Sequence, residues 1–333
     1  MGIISLVGAV VLLFLLNLFV GSVRLPVNDV LSILTGNADP DSPTYFIVVN
    51  SRIPQAVTAL LAGASLALSG LMLQTAFRNP LAGPSVLGIN SGASLGVAIV
   101  VLFLGNSISA GGFSFGGYAA VLVGAFLGSA MIMGLLLFFS AWLKNNLLLL
   151  IIGIMVGYLA SSVIMLLNYM STAEGVHGYV MWGMGNFNGV SLKQLPTFSI
   201  LSIVGILMSV LLIKPLNILQ LGDNYARNLG LNLNRVRNLL LLVTGLLTSV
   251  ATAFCGPISF IGLSVPHISR MLFSTDDQRT LLPGCILVGS VVGLLCNLIC
   301  VLPSNIILPL NGVTPLIGVP VILYVIIKSR RRS

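Results

Sequence analysis

The feature that most constrains this chain is a series of long apolar runs almost empty of charge. The segments Val121 to Trp142, Leu147 to Leu167 and Leu281 to Val301 contain no Asp, Glu, Lys or Arg. An apolar helix needs about 20 residues to cross the hydrocarbon core of a bilayer. Such runs recur from one end of the chain to the other, with short polar stretches between them. Of the 333 residues, 57% are hydrophobic and 7% charged, against about a quarter charged in soluble proteins. Lipid must therefore be the main solvent, and the expected fold is a single all-α integral membrane domain over residues 1–333.

The apolar pattern predicts helices over 3–21, 55–76, 86–104, 117–141, 146–170, 194–213, 238–254, a short one over 263–274, and then 281–302 and 313–327, about ten crossings. No basic residue precedes Ile3 and no small-residue cleavage site ends the first run, which predicts an anchor rather than a removed signal. With the N-terminus inside, the cytoplasmic side receives Arg78, Lys144, Lys214, Arg227, Arg235, Arg237, Arg270, Arg279, Lys328 and Arg330 to Arg332. Of the 15 basic residues only Arg24, Arg52 and Lys193 are left outside, so the positive-inside rule selects this orientation and puts both termini in the cytoplasm. The net charge of +8 is explained by that topology and predicts no nucleic-acid partner.

Two stretches share a layout. Leu60 to Leu104 reads helix, Gly/Pro-broken loop, helix, and Leu242 to Phe273 repeats it from the opposite face. This is either an inverted repeat, whose broken segments would line a central path, or ordinary Gly/Pro punctuation. Glycines recur every four residues at Gly88, Gly92 and Gly96, at Gly124 and Gly128, at Gly153 and Gly157, and at Gly289 and Gly293. Such ladders let helix backbones approach closely, within the chain or at a subunit contact or moving seam.

Several chemistries are missing. No GxxxxGK[ST] loop is present to cradle nucleotide phosphates, and no HExxH; His177 and His267 fall on opposite faces of the expected topology, so no metal site and no bound cofactor are expected. Cys255, Cys285, Cys296 and Cys300 lack CxxC spacing and read as small buried hydrophobes. Gly92-Ala93-Ser94-Leu95-Gly96 fits GxSxG, and with His267 could suggest an intramembrane protease. A nucleophile elbow sits on a strand-to-helix turn, however, and Ser94 lies inside an apolar helix, so no catalytic residue is assigned. All 7 acids fall outside the expected spans. An ion-coupled carrier usually keeps a titratable group at membrane depth, so this absence points to an external energy source, with a passive channel or ion-coupled transporter as the alternative.

The most informative polar stretch is Leu221-Gly222-Asp223-Asn224-Tyr225-Ala226-Arg227-Asn228-Leu229-Gly230-Leu231. Asp223 near the start and Gly230 near the end follow the order that helix termini favour. The segment is either a solvated connector or a short cytoplasmic helix able to dock into a groove on another protein.

Taken with its other motifs, the chain resembles the FecCD-type permeases, membrane subunits of bacterial ABC importers for iron-siderophores, haem and vitamin B12. The resemblance rests on Arg52-Ile53-Pro54, Gly63 to Gly70 running into Gln74, Arg78-Asn79-Pro80-Leu81-Ala82-Gly83-Pro84, Leu87-Gly88, Ser91-Gly92-Ala93, Trp182-Gly183-Met184-Gly185, Ala226-Arg227-Asn228-Leu229-Gly230, and Gly256-Pro257 through Phe260-Ile261-Gly262-Leu263 to Pro266-His267-Ile268-Ser269-Arg270. It implies a ten-helix, inverted-repeat permease in the bacterial inner membrane, paired with a second permease subunit, usually its own copy. Two cytoplasmic ATPase subunits would use ATP and Mg beneath it, and an extracytoplasmic binding protein would deliver the cargo. On this resemblance Asp223, Ala226, Arg227, Leu229 and Gly230 form the ATPase-coupling loop. Arg52 matches a position that meets the binding protein, with Arg24 as a further candidate. Gln55 stands where the family often has a second arginine, and Cys296 to Val301 replaces a common Asp and Arg. Asn90, Ser91, Ser161 and Ser162 are the expected small polar lining of the translocation path.

Overall fold

The structure, a computed structural model, describes residues 2–103, 115–143, 146–303 and 306–330. Of the basic residues used for orientation, Lys144, Arg331 and Arg332 lie outside these. The elements are α1 (Ile3–Phe19), α2 (Val27–Leu34), α3 (Pro43–Ile47), α4 (Ile53–Phe77), α5 (Ile89–Ala98), α6 (Phe115–Trp142), α7 (Asn146–Met170), α8 (Ala173–Gly183), α9 (Leu195–Leu211), α10 (Ile213–Gln220), α11 (Asp223–Asn228), α12 (Leu233–Cys255), α13 (Ile261–Phe273), α14 (Gln278–Val301) and α15 (Leu310–Arg330). Every expected span falls on a helix. The second is longer than expected: a π turn over Val48–Arg52 joins α3 to α4 in one rod of 35 residues. The sixth is broken, with α9 and α10 meeting at a bend of 51°.

Helix ends follow side-chain chemistry. Ser42 accepts from the Tyr45 N–H with Pro43 next to it, Thr172 accepts from Gly175 N–H, and Asn232 accepts from Arg235 N–H. Each satisfies a donor that the first helical turn leaves unpaired. Between the ends the backbone bonds to itself, which is required where no water can substitute.

The α4 and α12 spans form the centre, 83% and 78% buried, whereas α6 and α7 are 39% and 28% buried. The pairing pattern repeats: α4 packs on α13 and α14 as α12 packs on α5 and α6, and α5 contacts α6 and α7 as α13 contacts α14 and α15. This matching pattern favours the repeat reading of the two broken segments over ordinary Gly/Pro punctuation.

The glycine ladders are the internal seams of this arrangement. Gly92 and Gly96 face Gly124 and Gly128, Gly88 faces Gly153 and Gly157, and Gly289 and Gly293 face Gly63 and Ala59. A Cβ at Gly70 would overlap the Gly262 carbonyl, an α4–α13 approach outside the four-residue ladders. Without a hydrophobic force between helices in lipid, close backbone packing of this kind has to supply the association.

Candidate functional site

The polar loop singled out in the sequence does fold into a short exposed helix. Gly222, at φ +114, turns the chain after α10, and Asp223 begins α11. Gly230, at φ +82, ends it: its N–H donates to the Arg227 carbonyl while the Leu231 N–H donates to Ala226. The left-handed backbone there favours glycine over any side chain with a Cβ.

Only part of the expected coupling set faces outward. Ala226 is 0% exposed and packs among Leu68, Leu71, Met72 and Leu240, so it anchors the helix rather than offering a surface. Asp223 is turned toward the protein, its carboxylate 2.6 Å from the Arg78 guanidinium at the end of α4. Arg227, Leu229 and Gly230 are exposed. Tyr225 and Leu229, four residues apart on α11 and its C-cap, are 61% and 56% exposed and form an apolar pair on its outer face, with Leu221, 61% exposed, at the end of α10 before the Gly222 turn. Leu221 and Tyr225 were not expected. The four-residue spacing was visible, but a six-residue helix gives too short a window to decide which face is inside.

The preceding helix α10 is braced by side chains. Asn217 Nδ2 donates to Asp277 Oδ1 at 2.7 Å, Gln278 N–H donates to Asn217 Oδ1 at 2.8 Å, and Gln220 Nε2 donates to the Asp276 carbonyl at 2.9 Å. These tie α10 to the turn between α13 and α14. The bonds from Arg279 N–H and Asn217 hold the Asp277 carboxyl below the usual aspartate range. A depressed carboxylate contributes above its unfolded pKa and loses that contribution as pH falls through the folded value, so this tie is intact at neutral pH and weakens only in acid. Nearby, His267 Nε2 lies 2.9 Å from the Pro80 carbonyl and carries the proton there, since a carbonyl only accepts.

Arg52 is held by the end of α1. It is 3% exposed, and its guanidinium donates to the carbonyls of Leu18, Phe19 and Val23 at 2.7, 2.9 and 2.6 Å. It closes the C-terminal end of α1, where unpaired carbonyls and the helix dipole favour a cation, and Gly21 leaves room for it. The Arg52 guanidinium is thus engaged inside the chain, whereas Arg24 is exposed. Replacing Arg52 with Ala is expected to cost about 2–4 kcal/mol, because three acceptors lose their donor where water is scarce. Thermal unfolding of the solubilised protein would show it, with Arg52→Lys recovering part of the loss.

The departures Gln55 and Asn297 find each other. Gln55 Nε2 donates to Asn297 Oδ1 at 2.9 Å, and Asn297 Nδ2 donates to Asn17 Oδ1 at 2.7 Å. A neutral amide chain thereby joins α4, α14 and α1 where the resemblance led one to look for charge.

The four path residues are not brought together as one lining. Asn90 is buried; its Oδ1 accepts from Thr252 at 3.1 Å and its Nδ2 donates to the Ile258 carbonyl at 3.4 Å. It staples α5 to α12 and to the broken connection, and its amide is not free for a passing cargo. Ser91 is half-buried against Gly157. Ser161 and Ser162 are exposed on α7, each donating to its own helix four residues back. Asn311 had no sequence signal of its own, yet it donates to the Gly183 and Pro257 carbonyls and accepts from Ser259 N–H, fixing the break before α13.

Known proteins share this architecture. The family model of the FecCD transport family matches residues 9–328. The vitamin B12 import system permease protein BtuC of Salmonella paratyphi A is 36% identical over 282 residues, covering 84% of this chain and 83% of the relative, and that of Salmonella typhi matches to the same extent. A solved inward-facing structure of an ABC transporter assigned to the metal-chelate type superimposes with a TM-score of 0.85 at 30% identity, over 98% of both chains. With the family match running through both halves of the repeat and through the α11 segment, the chain belongs to the FecCD transport family, a family of membrane transport permeases.

Proposed function

We propose that this chain is the membrane-spanning permease subunit of an ATP-driven importer that brings an iron chelate into the bacterial cytoplasm. A ferric siderophore is the first choice of cargo, with haem and cobalamin as alternatives. The observation that carries the reading is α11: a short helix with an exposed apolar pair and Arg227, braced onto the central spans of a chain with no nucleotide loop of its own. A helix of this kind suits insertion into a groove of a partner that hydrolyses ATP with Mg. The B12 and metal-chelate relatives support a bulky chelate as cargo.

In this reading two copies pair in the cytoplasmic membrane, each held by an ATPase from below, with both termini cytoplasmic. The least buried span, α7, carries Ser161 and Ser162 toward the second copy and the path between them. Weakly polar hydroxyls let a chelate pass without holding it. A binding protein delivers the cargo from outside, and Arg24 is the exposed cation available to meet it. ATP binding draws the two ATPases together, α11 moves with them, and the permeases switch between outward and inward openings. Such coupling requires the ATPase to interact differently with the two permease states.

The test is uptake into proteoliposomes containing the permease, its ATPase and the binding protein, offered in turn a ferric siderophore, haem and cyanocobalamin. Accumulation that requires internal or external ATP and Mg on the ATPase side is the expected result. Accumulation without nucleotide, or driven by a proton gradient alone, would replace this reading by a channel or an ion-coupled carrier.

A further inference from the structure

One charged contact of α11 has no place in a docking surface, because it points the other way. The Arg78 Nη2 to Asp223 Oδ1 distance is 2.6 Å, and the two side chains are 44% and 35% exposed. Arg78 ends α4 with φ +44 and ψ +38, a left-handed conformation rare for a residue with a Cβ. Gly222 lies beside this guanidinium, and its φ of +114 is a backbone conformation that favours glycine.

A half-exposed ion pair contributes little to stability. Its value lies in geometry. Ala226 is buried as a methyl-sized plug, which resists withdrawal of α11 but not rotation about that point. The pair at the N-terminal end of α11 supplies a second fixed point, and two points turn a pivot into a rigid attachment. The chain of contacts continues inward: one turn before Arg78, Gln74 Oε1 accepts from Arg270 Nη1 at 2.7 Å. Gln74 Nε2 donates to the Leu263 carbonyl at 3.1 Å, so the end of α4 holds α13 at two positions.

We propose that the Arg78–Asp223 ion pair is a transmission contact, which locks α11 to the end of α4 so that displacement of α11 reaches α4 and, through Gln74 and Arg270, the broken helix α13. This rests on the reading of α11 as the ATPase-coupling helix. Arg78 is a positioning residue in this scheme and touches no cargo.

The test uses the assembled transporter with its ATPase subunits in lipid nanodiscs. Spin labels go on Leu81→Cys and Asn224→Cys, both at exposed positions, while the native cysteines are buried. Their separation is measured without nucleotide and after trapping with Mg, ATP and vanadate. With the pair intact the separation is expected to stay fixed. In Arg78→Ala a second, displaced population is expected to rise about tenfold, an ordinary coupling energy, with the melting temperature unchanged. The charge swap Arg78→Asp with Asp223→Arg is expected to return the single distance. A separation that changes on trapping in the parent, or is unaltered in Arg78→Ala, or is not restored by the swap, overturns the transmission contact while leaving the importer reading standing. Failure to form any complex with an ATPase overturns both.

Discussion

Gly70→Val is expected to leave no folded protein to isolate. The Cβ of any larger residue at this position would overlap the Gly262 carbonyl. The obstacle is backbone, not a side-chain end that can rotate away. Overpacking in a filled core commonly costs about 1–3 kcal/mol when side chains can shift, and here a helix would have to move. The α4 span is 83% buried, so its displacement would disturb the contacts with α12, α13 and α14 together. Gly70→Ala should already show a large loss. The control is Gly134→Ala on the exposed side of α6, where nothing lies within 4 Å of the added carbon; there the better helix propensity of alanine is worth about 0.5–1 kcal/mol. Heating the solubilised variants and following the monodisperse fraction measures both. A Gly70→Ala protein melting within about 1 °C of the parent, roughly 0.7 kcal/mol for a chain of this size, would mean that α4 and α13 do not touch at this point.

The same contact shows what was legible beforehand. Ladders at four-residue spacing mark a small-residue stripe on one helix, and each ladder did turn out to face another helix. Which helix it faces is not written in the spacing. Gly70 and Gly262 meet across almost two hundred residues of chain, each without a four-residue glycine partner of its own. The apolar runs located the spans for an equally local reason, because a membrane helix must be long and apolar whatever it packs against. Arg52 was placed by its match to a position that meets the binding protein, which says nothing of what its guanidinium holds within the chain. Its actual partners are the backbone carbonyls of Leu18, Phe19 and Val23, and a carbonyl carries no signature in a sequence. Asn90 was equally open. A lone amide in an apolar helix reads equally well as a path residue or a staple, and only the distant Thr252 and Ile258 decide it.

Among the described residues, several buried amides are consumed by the protein's own architecture. Asn17, Gln55 and Asn297 form one amide chain, while Asn311 and Asn90 hold the two sides of the broken connection before α13. An amide pays no ionisation cost in lipid, and each donor placed on a carbonyl removes a group that hydrocarbon would leave unsatisfied.

The outer face of α11 carries the other large expected effect. Tyr225→Ala together with Leu229→Ala is expected to weaken binding of the ATPase about a hundredfold or more, since a buried aromatic or aliphatic anchor at an interface commonly contributes about 2 kcal/mol or more. Both side chains are more than half exposed in the isolated chain, at 61% and 56%, so their removal leaves no cavity and should not alter the melting temperature. Ala226→Leu provides the contrast. Ala226 is 0% exposed, and enlarging it should dislodge α11 from its seat and lower stability along with binding. Titrating the purified permease in nanodiscs with its ATPase separates the two behaviours: the double alanine variant loses affinity alone, and the anchor variant loses both. If the double variant bound the ATPase as tightly as the parent, Tyr225 and Leu229 would not be the docking surface, and α11 would no longer be where the energy of hydrolysis enters the membrane.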